Sequence, residues 1–418
     1  MKKVLTAVLA TMMLLAMLPA LTVSADGEVT LEYWIAGDPR RTPVYEASVA
    51  RFTEATGIKV NVTEQVGDNT QIQQKLFTMI ASGNAPDVLH VDTMYVRDMA
   101  VVGTILPLND FEGFDELYAT VIEAELRPLQ LDGLTFGFPI RGNSIQLVYN
   151  KDMFREAGLD PDNPPKTYEE LVEAAVALTV RDDRGNVEVY GYETGMTADA
   201  HWSMHVFSPI FWSHGGEYVG EDGKSGFATE AGVKTLELWD LLINELGVSP
   251  TERITAGLET GKVAMIHTGE WSLLGYQADF PDLDVGFATL PVVAEGVTPK
   301  IPLGGRACVI PTMSKNPEEA WKLIQHVLSY EEQMGYTMAE VGLGTLSAMV
   351  DDPWFDTNEN YRKALSDMEY AKAKAAPEIL QMNMIVFDAI QRVILMGDDP
   401  MTALLDADAQ YNALLESR

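Results

Sequence analysis

The sequence predicts an α/β fold in two lobes. Strand-like and helix-like segments alternate along it, and its 418 residues exceed what one hydrophobic core usually serves. No Ser/Gly/Pro-rich stretch, charge block or internal repeat separates independent bodies, so lobes that exchange strands are expected rather than beads on a string.

Val29, Leu31, Tyr33 and Ile35 alternate as in a half-buried strand. Helical spacing of Val44, Ala47 and Phe52 follows, and Gly57 suits the stop. Ile58, Val60 and Val62 make the next strand. Asn69 is placed to cap a helix carrying Ile72, Leu76, Met79 and Ile80 on one face, which runs to Gly83 and a strand over 88–91. This order implies a parallel sheet.

A second series opens with a strand over 145–149. Thr167 and Glu170 have the spacing of a capping box after Pro165, and another helix runs from Trp202 to Ser213. Strands are expected over 263–267 and 285–288. Pro317 suits the first turn of a helix whose apolar face holds Ala320, Leu323, Ile324 and Val327. The last third reads as helical, with Gly397 to Pro400 dividing its final two helices.

Lys2 and Lys3, an apolar run over 4–20 and the small-residue pattern Val23-Ser24-Ala25 predict an export signal at 1–25 that is removed. The lone cysteine, Cys308, lies far from that segment, so neither a lipid-attachment cysteine nor an internal disulfide is expected. The expected location is the periplasm or the medium. With 29 basic against 62 acidic residues the formal net charge is -33, a surface that repels nucleic acid and anionic lipid.

Two stretches carry the functional reading. Ala85-Pro86-Asp87-Val88-Leu89 and Gly261-Lys262-Val263-Ala264-Met265-Ile266 each read as a turn feeding a short buried strand. The second leads to Gly269-Glu270-Trp271, where a backbone can approach a ligand closely and an aromatic face can cover it. That is the chemistry of holding rather than of breaking.

Together with Phe52 to Val60, Ala81 to Val88, Tyr149 to Phe154, Pro165 to Leu171 and the Gly215-Gly216 pair, these segments resemble, in order, the extracellular solute-binding proteins of bacterial ABC importers, in the sugar and oligosaccharide group that includes maltose-binding proteins. The resemblance implies the type II periplasmic binding fold, with two α/β lobes, crossover strands and a ligand in the cleft between them. It places lobe one at 26–141 plus 292–341 and lobe two at 142–291 plus 342–418, with crossings near Arg141, Pro291 and Gly342. It also implies the permease subunits of an importer as partners of a monomer, and no cofactor, metal or catalysis.

Sugar recognition asks for aromatic faces and planar polar groups. Trp271 matches the tryptophan that stacks on sugar in the maltose-binding relatives, and Glu270 precedes it. Asp38 resembles the ligand-binding turn of those relatives, with a turn-capping role as the other reading. Trp34 lies inside a strand and is the stronger candidate for core. Asp92 ends the strand after Pro86, with Tyr95 a turn later; hydroxyl binding and helix capping both stand for it. Asn143 falls where maltose-binding proteins have a carboxylate, which argues against maltose itself. Arg141, and Arg306 after Gly304-Gly305, are basic options, each open to a surface role.

His201, Trp202, His205, Trp212 and His214 crowd one helix. Their spacing permits zinc, but no glutamate follows the first histidine, so Trp202 and His205 are expected to line the cleft, with core packing as the rival reading. Neutral carbohydrate leads as ligand. Polyamine or glycerol phosphate on the same fold is the alternative, the latter wanting several convergent basic groups; a secreted polysaccharide-active enzyme is the second. No Gly-x-Ser-x-Gly elbow, HExxH or Walker loop supports an enzyme.

Overall fold

The computed structural model describes residues 29–36, 39–65, 75, 78–80, 82–196, 200–339, 342–374 and 376–417. The calls on the export signal, Asp38 and Asn69 lie outside the described residues.

The architecture is a two-domain α/β fold around one curled, eight-stranded sheet. Its strands are β1 (Thr30–Ala36), β2 (Lys59–Gln65), β3 (Val88–Asp92), β4 (Phe138–Asn150), β5 (Met265–Gly269), β6 (Val285–Ala288), β7 (Ile301–Val309) and β8 (Ala371–Ala373). They run in the order β6-β4-β7-β3-β1-β2, with β5 also on β4 and β8 also on β7. As expected, β1 is parallel to both β2 and β3. Strand β7 is antiparallel to β3 and β4.

The principal helices are α1 (Thr42–Thr56), α2 (Tyr168–Leu178), α3 (Ala200–Ser213), α4 (Glu230–Asp240), α5 (Pro317–Val327), α6 (Ile379–Met396) and α7 (Pro400–Glu416). Gly57 ends α1 in the left-handed region, at φ 77°, where a side chain is strained. Helix α2 opens on the expected capping box: Glu170 N–H donates to Thr167 Oγ1 at 3.2 Å, and Glu170 Oε2 accepts from Thr167 N–H at 3.1 Å.

Helices α1 and α5 pack on β1 through Tyr33, Phe52 and Trp321. Helices α3, α4, α6 and α7 form a separate core around Phe207, Trp239, Ile390 and Tyr411, and Trp212 is buried in it rather than facing a cleft. Met94 and Tyr95, in the turn after β3, pack into that second core.

Strand β4 is longer than the expected 145–149. Residues 138–144 pair with β7, and 145–150 pair with β5 and β6. Polar and glycine residues at 141–144 hide the first half from any apolar pattern. Strand β7 likewise changes partners, pairing with β8 through Ile301 to Leu303 and with β3 through Arg306 to Val309.

Removing the cap hydroxyl in Thr167→Ala should lower stability by about 1 kcal/mol. Urea unfolding of the ligand-free protein measures it, and an unchanged midpoint would show that the box adds nothing to α2.

Candidate functional site

Three strands bring one row of charged residues together. Arg306 on β7 lies opposite Asp92 on β3 and opposite Arg141 on β4, so all three project from the same face of the sheet. Two pairs further along β4, Asn143 faces Gly304. A Cβ at Gly304 would lie 3.5 Å from Asn143 Nδ2 and 3.9 Å from His205 Cε1, which sets both side chains beside it. Gly305 has φ 145°, and a Cβ there would stand 2.5 Å from Arg141 O; only glycine allows the two strands this approach.

Asp92 takes the capping role of the two the sequence left open. Its Oδ1 accepts from Met94 N–H at 3.2 Å and caps the turn, while Oδ2 lies 3.8 Å from His201 Nε2. Burial pushes its pKa up, but His201, Arg306, Lys374 and the Met94 N–H outweigh that and hold the carboxyl below its ordinary range.

From there an aromatic series runs along helix α3. The Tyr95 ring lies 6.3 Å from His201, the His201 ring 4.6 Å from His205, and Trp202 5.4 Å from His205. Trp202 then meets Trp271 edge-on, at 6.3 Å and 89°. The Arg253 guanidinium stands 5.9 Å from the Trp202 ring centre, a cation–π contact. His201 Nε2 and His205 Nε2 are 3.0 Å apart, and Lys374 Nζ sits 2.8 Å from His205 Nε2. Burial first and Lys374 second keep both rings neutral, His201 falling to about 3.

Trp271 lies flat on the end of β5. A Cβ on Gly269 would come within 2.0 Å of the indole, so the glycine read from the sequence as a close-approach position is what admits the ring. Arg41, just before α1, donates from Nη2 to Trp271 O at 2.8 Å.

Behind the tryptophan, Glu270 is fully buried and accepts from Ser144 N–H at 3.1 Å. Burial lifts it to about 7, against the opposing pull of the Ser144 N–H, its own N–H, Arg141 and Arg41. Glu125 reaches the other side of the strand, where a Cβ on Gly142 would lie 2.3 Å from its Oε1. Burial and then the nearby Glu270 carry Glu125 to about 8. Glu270 Oε1, Glu125 Oε2 and Asn143 Oδ1 are buried without a hydrogen bond among the described residues.

Asp92, Tyr95, Arg141, Asn143, Trp202, His205, Glu270, Trp271, Gly305 and Arg306 thus surround one junction. Trp34 does not join them: it packs from the opposite sheet face against the cluster of Ile80, Leu89 and Val91. Sequence reasoning missed Arg41, Glu125, Arg253 and Lys374, and read His201 only as a metal question. Nothing local marks Lys374, which follows a three-residue strand too short to show periodicity. A cavity of about 1040 Å³ beside β6 and the start of α2 holds none of the candidate ligand-binding residues read from the sequence.

The sequence matches the bacterial extracellular solute-binding protein family over residues 37–334. It is 26% identical over 408 residues to a protein of Brucella abortus (strain 2308) described only as a binding protein, spanning 95% of this chain and 96% of that one. In structure it is similar to an ABC transporter solute-binding protein of Thermotoga lettingae bound with alpha-D-tagatose, at a TM-score of 0.82 and 27% identity, over 93% of this chain and all of that one. UgpB of Mycobacterium tuberculosis in complex with glycerophosphocholine shares the fold at a TM-score of 0.82 and 19% identity, over 94% of this chain and 99% of that one.

Gly269→Ala should cost about 1 to 3 kcal/mol by overpacking against the indole. Adding Trp271→Ala should recover most of that loss, and equal destabilisation in the single and double variants would place the strain elsewhere.

Stability should also report the Glu125 proton. The folded carboxyl keeps it to about 8 and the unfolded one releases it near 4.5, so its favourable contribution is complete below about 4.5 and is lost as pH rises toward 8. Relative to Glu125→Gln, the natural protein should lose up to about 1.4 kcal/mol per pH unit across that window. A constant difference between the two from pH 5 to 8 in denaturant titrations would refute it.

Proposed function

The chain belongs to the bacterial extracellular solute-binding proteins, and we propose that it captures a carbohydrate in a cleft between its two lobes and delivers it to the permease of an ABC importer. The observation that carries this reading is the aromatic series Trp271, Trp202, His205, His201 and Tyr95, flanked by Asp92, Asn143 and the two arginines of the central strands. Indole faces cover the C–H side of a sugar ring, and planar polar groups suit adjacent hydroxyls.

In this proposal the lobes cross near Arg141, Pro291 and Gly342, and they meet along Arg141 to Ser144 and Leu303 to Arg306, where β4 and β7 pair. Ligand bridges the lobes and shifts the population toward a closed form that the permease recognises. The contacts that span the junction are suited to a reversible closure. The Arg40–Asp279 ion pair, at 3.0 Å, leaves both side chains about half exposed, and such pairs contribute at most about 1 kcal/mol.

The family is one of transport binding proteins rather than enzymes, so solute leaves unaltered. The 1–25 segment fits an exported protein, as the family's extracellular role requires. A thermal-shift screen of sugars, polyamines and glycerol phosphodiesters identifies the ligand class, since a true ligand raises stability with occupancy. With that ligand, Trp271→Ala should weaken binding severalfold or more, by about 1 kcal/mol beyond lost area, while far-ultraviolet dichroism stays unchanged. Unaltered affinity in calorimetry would dismiss the stacking role.

A further inference from the structure

Resting on the reading of two lobes that close over a solute, we propose that Glu125 is a positioning residue for that closure: with Glu270 it forms a carboxylic-acid pair, one member from each lobe, that clamps β4 where the lobes cross and seats Trp271. Glu125 stands in the helical turn Glu123–Leu126, on the lobe-one side of the crossings, and Glu270 opens the turn after β5, on the lobe-two side. Both reach the same three residues of β4. A Cβ on Gly142 would lie 2.3 Å from Glu125 Oε1, and Ser144 N–H donates to Glu270 Oε2 at 3.1 Å. The chain just past Gly342 arrives at the same place, since Gly142 N–H donates to Leu343 O at 2.9 Å. In this arrangement the lobes touch, Arg41 on the Trp271 carbonyl and Arg40 on Asp279.

An ionised carboxylate can only accept, and once water is gone it needs donors at both oxygens. Glu125 is 1% exposed and Glu270 0%, and Glu125 Oε2 and Glu270 Oε1 have no hydrogen bond among the described residues. That geometry suits the protonated acids. Burial, and at Glu125 the neighbouring Glu270, hold Glu270 to about 7 and Glu125 to about 8, with Arg141 and Arg41 pulling the other way at Glu270. Other charged or titratable groups on the elements packed against the pair are turned elsewhere: Arg127 to Glu123, Lys372 of β8 to Glu217, Lys374 to His205, Lys363 to Asp367 and His267 of β5 to Tyr192.

When the lobes part at this crossing, water reaches the acids and they ionise near their ordinary 4.5. Closure therefore takes up protons. The stability it draws from them is complete below about 4.5 and is lost as pH rises to about 8, where the closed form also releases its protons. Trp271 follows Glu270 directly in the chain, so the step that hydrates the acid also unseats the indole that lies on Gly269.

The test uses the full chain without solute. Glu54→Cys in lobe one and Glu173→Cys in lobe two, both at exposed positions, take nitroxide labels, because the native Cys308 is buried. Distances between the labels, read by electron paramagnetic resonance, should show open chains gaining on closed ones from pH 5 to 8, by up to about tenfold per pH unit for each acid that water reaches. Glu125→Gln and Glu270→Gln should each reduce that slope and the double variant should abolish it, since an amide keeps the shape of the acid without its titration. Where the double variant fails to fold, either single variant decides. Label distances that stay fixed from pH 5 to 8, or a slope that the variants leave unchanged, overturn the inference and leave solute capture standing. A slope that the variants remove, in a chain whose label distance no sugar of the thermal-shift screen shortens, upholds the pair and overturns the carbohydrate reading.

Discussion

Backbone pairing of β4 on two sides is the constraint from which the site follows. One strand of thirteen residues supplies the edge for β7 with its first half and for β5 and β6 with its second. Because its hydrogen bonds are spent on both, whatever hangs from β3 through β7 is fixed relative to whatever hangs from β5. Asp92 and Trp271 are held in one frame this way, although 179 residues separate them. The glycines at the middle of the frame are consequences: Gly142 makes room for Glu125, and Gly305 for the backbone of Arg141.

Electrostatics at the junction sort groups by what burial leaves them able to do. The histidines shed their protons and the two glutamates keep theirs, whereas guanidinium groups cannot neutralise and stay charged. The acidic exterior, at a formal net charge of -33, disfavours long-range attraction of anions, so discrimination among solutes falls to short-range contacts.

Much of the fold was legible because it is written locally. Gly57, the Thr167 to Glu170 box, Pro317 and the Gly397 to Pro400 break each act within a turn of their own position. Trp239 on α4 and Trp321 on α5 are buried with the apolar faces of those helices. Strand β4 was underestimated because Arg141, Gly142 and Asn143 are strand residues by virtue of partners on β7 that lie far away in sequence. Lys374 and Glu125 escaped for the same reason: one follows a three-residue strand and the other lies in a four-residue helical turn, and each is given meaning only by neighbours distant in sequence. Gly269 and Trp271 were readable, since the steric need and the ring that creates it are two residues apart.

The composition of the junction also bears on how the lobes part. Met94 and Tyr95 are the apolar residues that the turn after β3 commits to the core built by α3 and α6, and polar contacts stand beside them, among them Arg41 to Trp271 and His201 to Asp92. A wholly apolar seam would grow more favourable with each square ångström buried and would close without solute. Polar groups exchange their partners for water at modest net cost when the seam opens, so neither state is strongly preferred by the protein alone. Under the proposed function the balance is left to the solute, whose rings would cover the indole faces of Trp202 and Trp271.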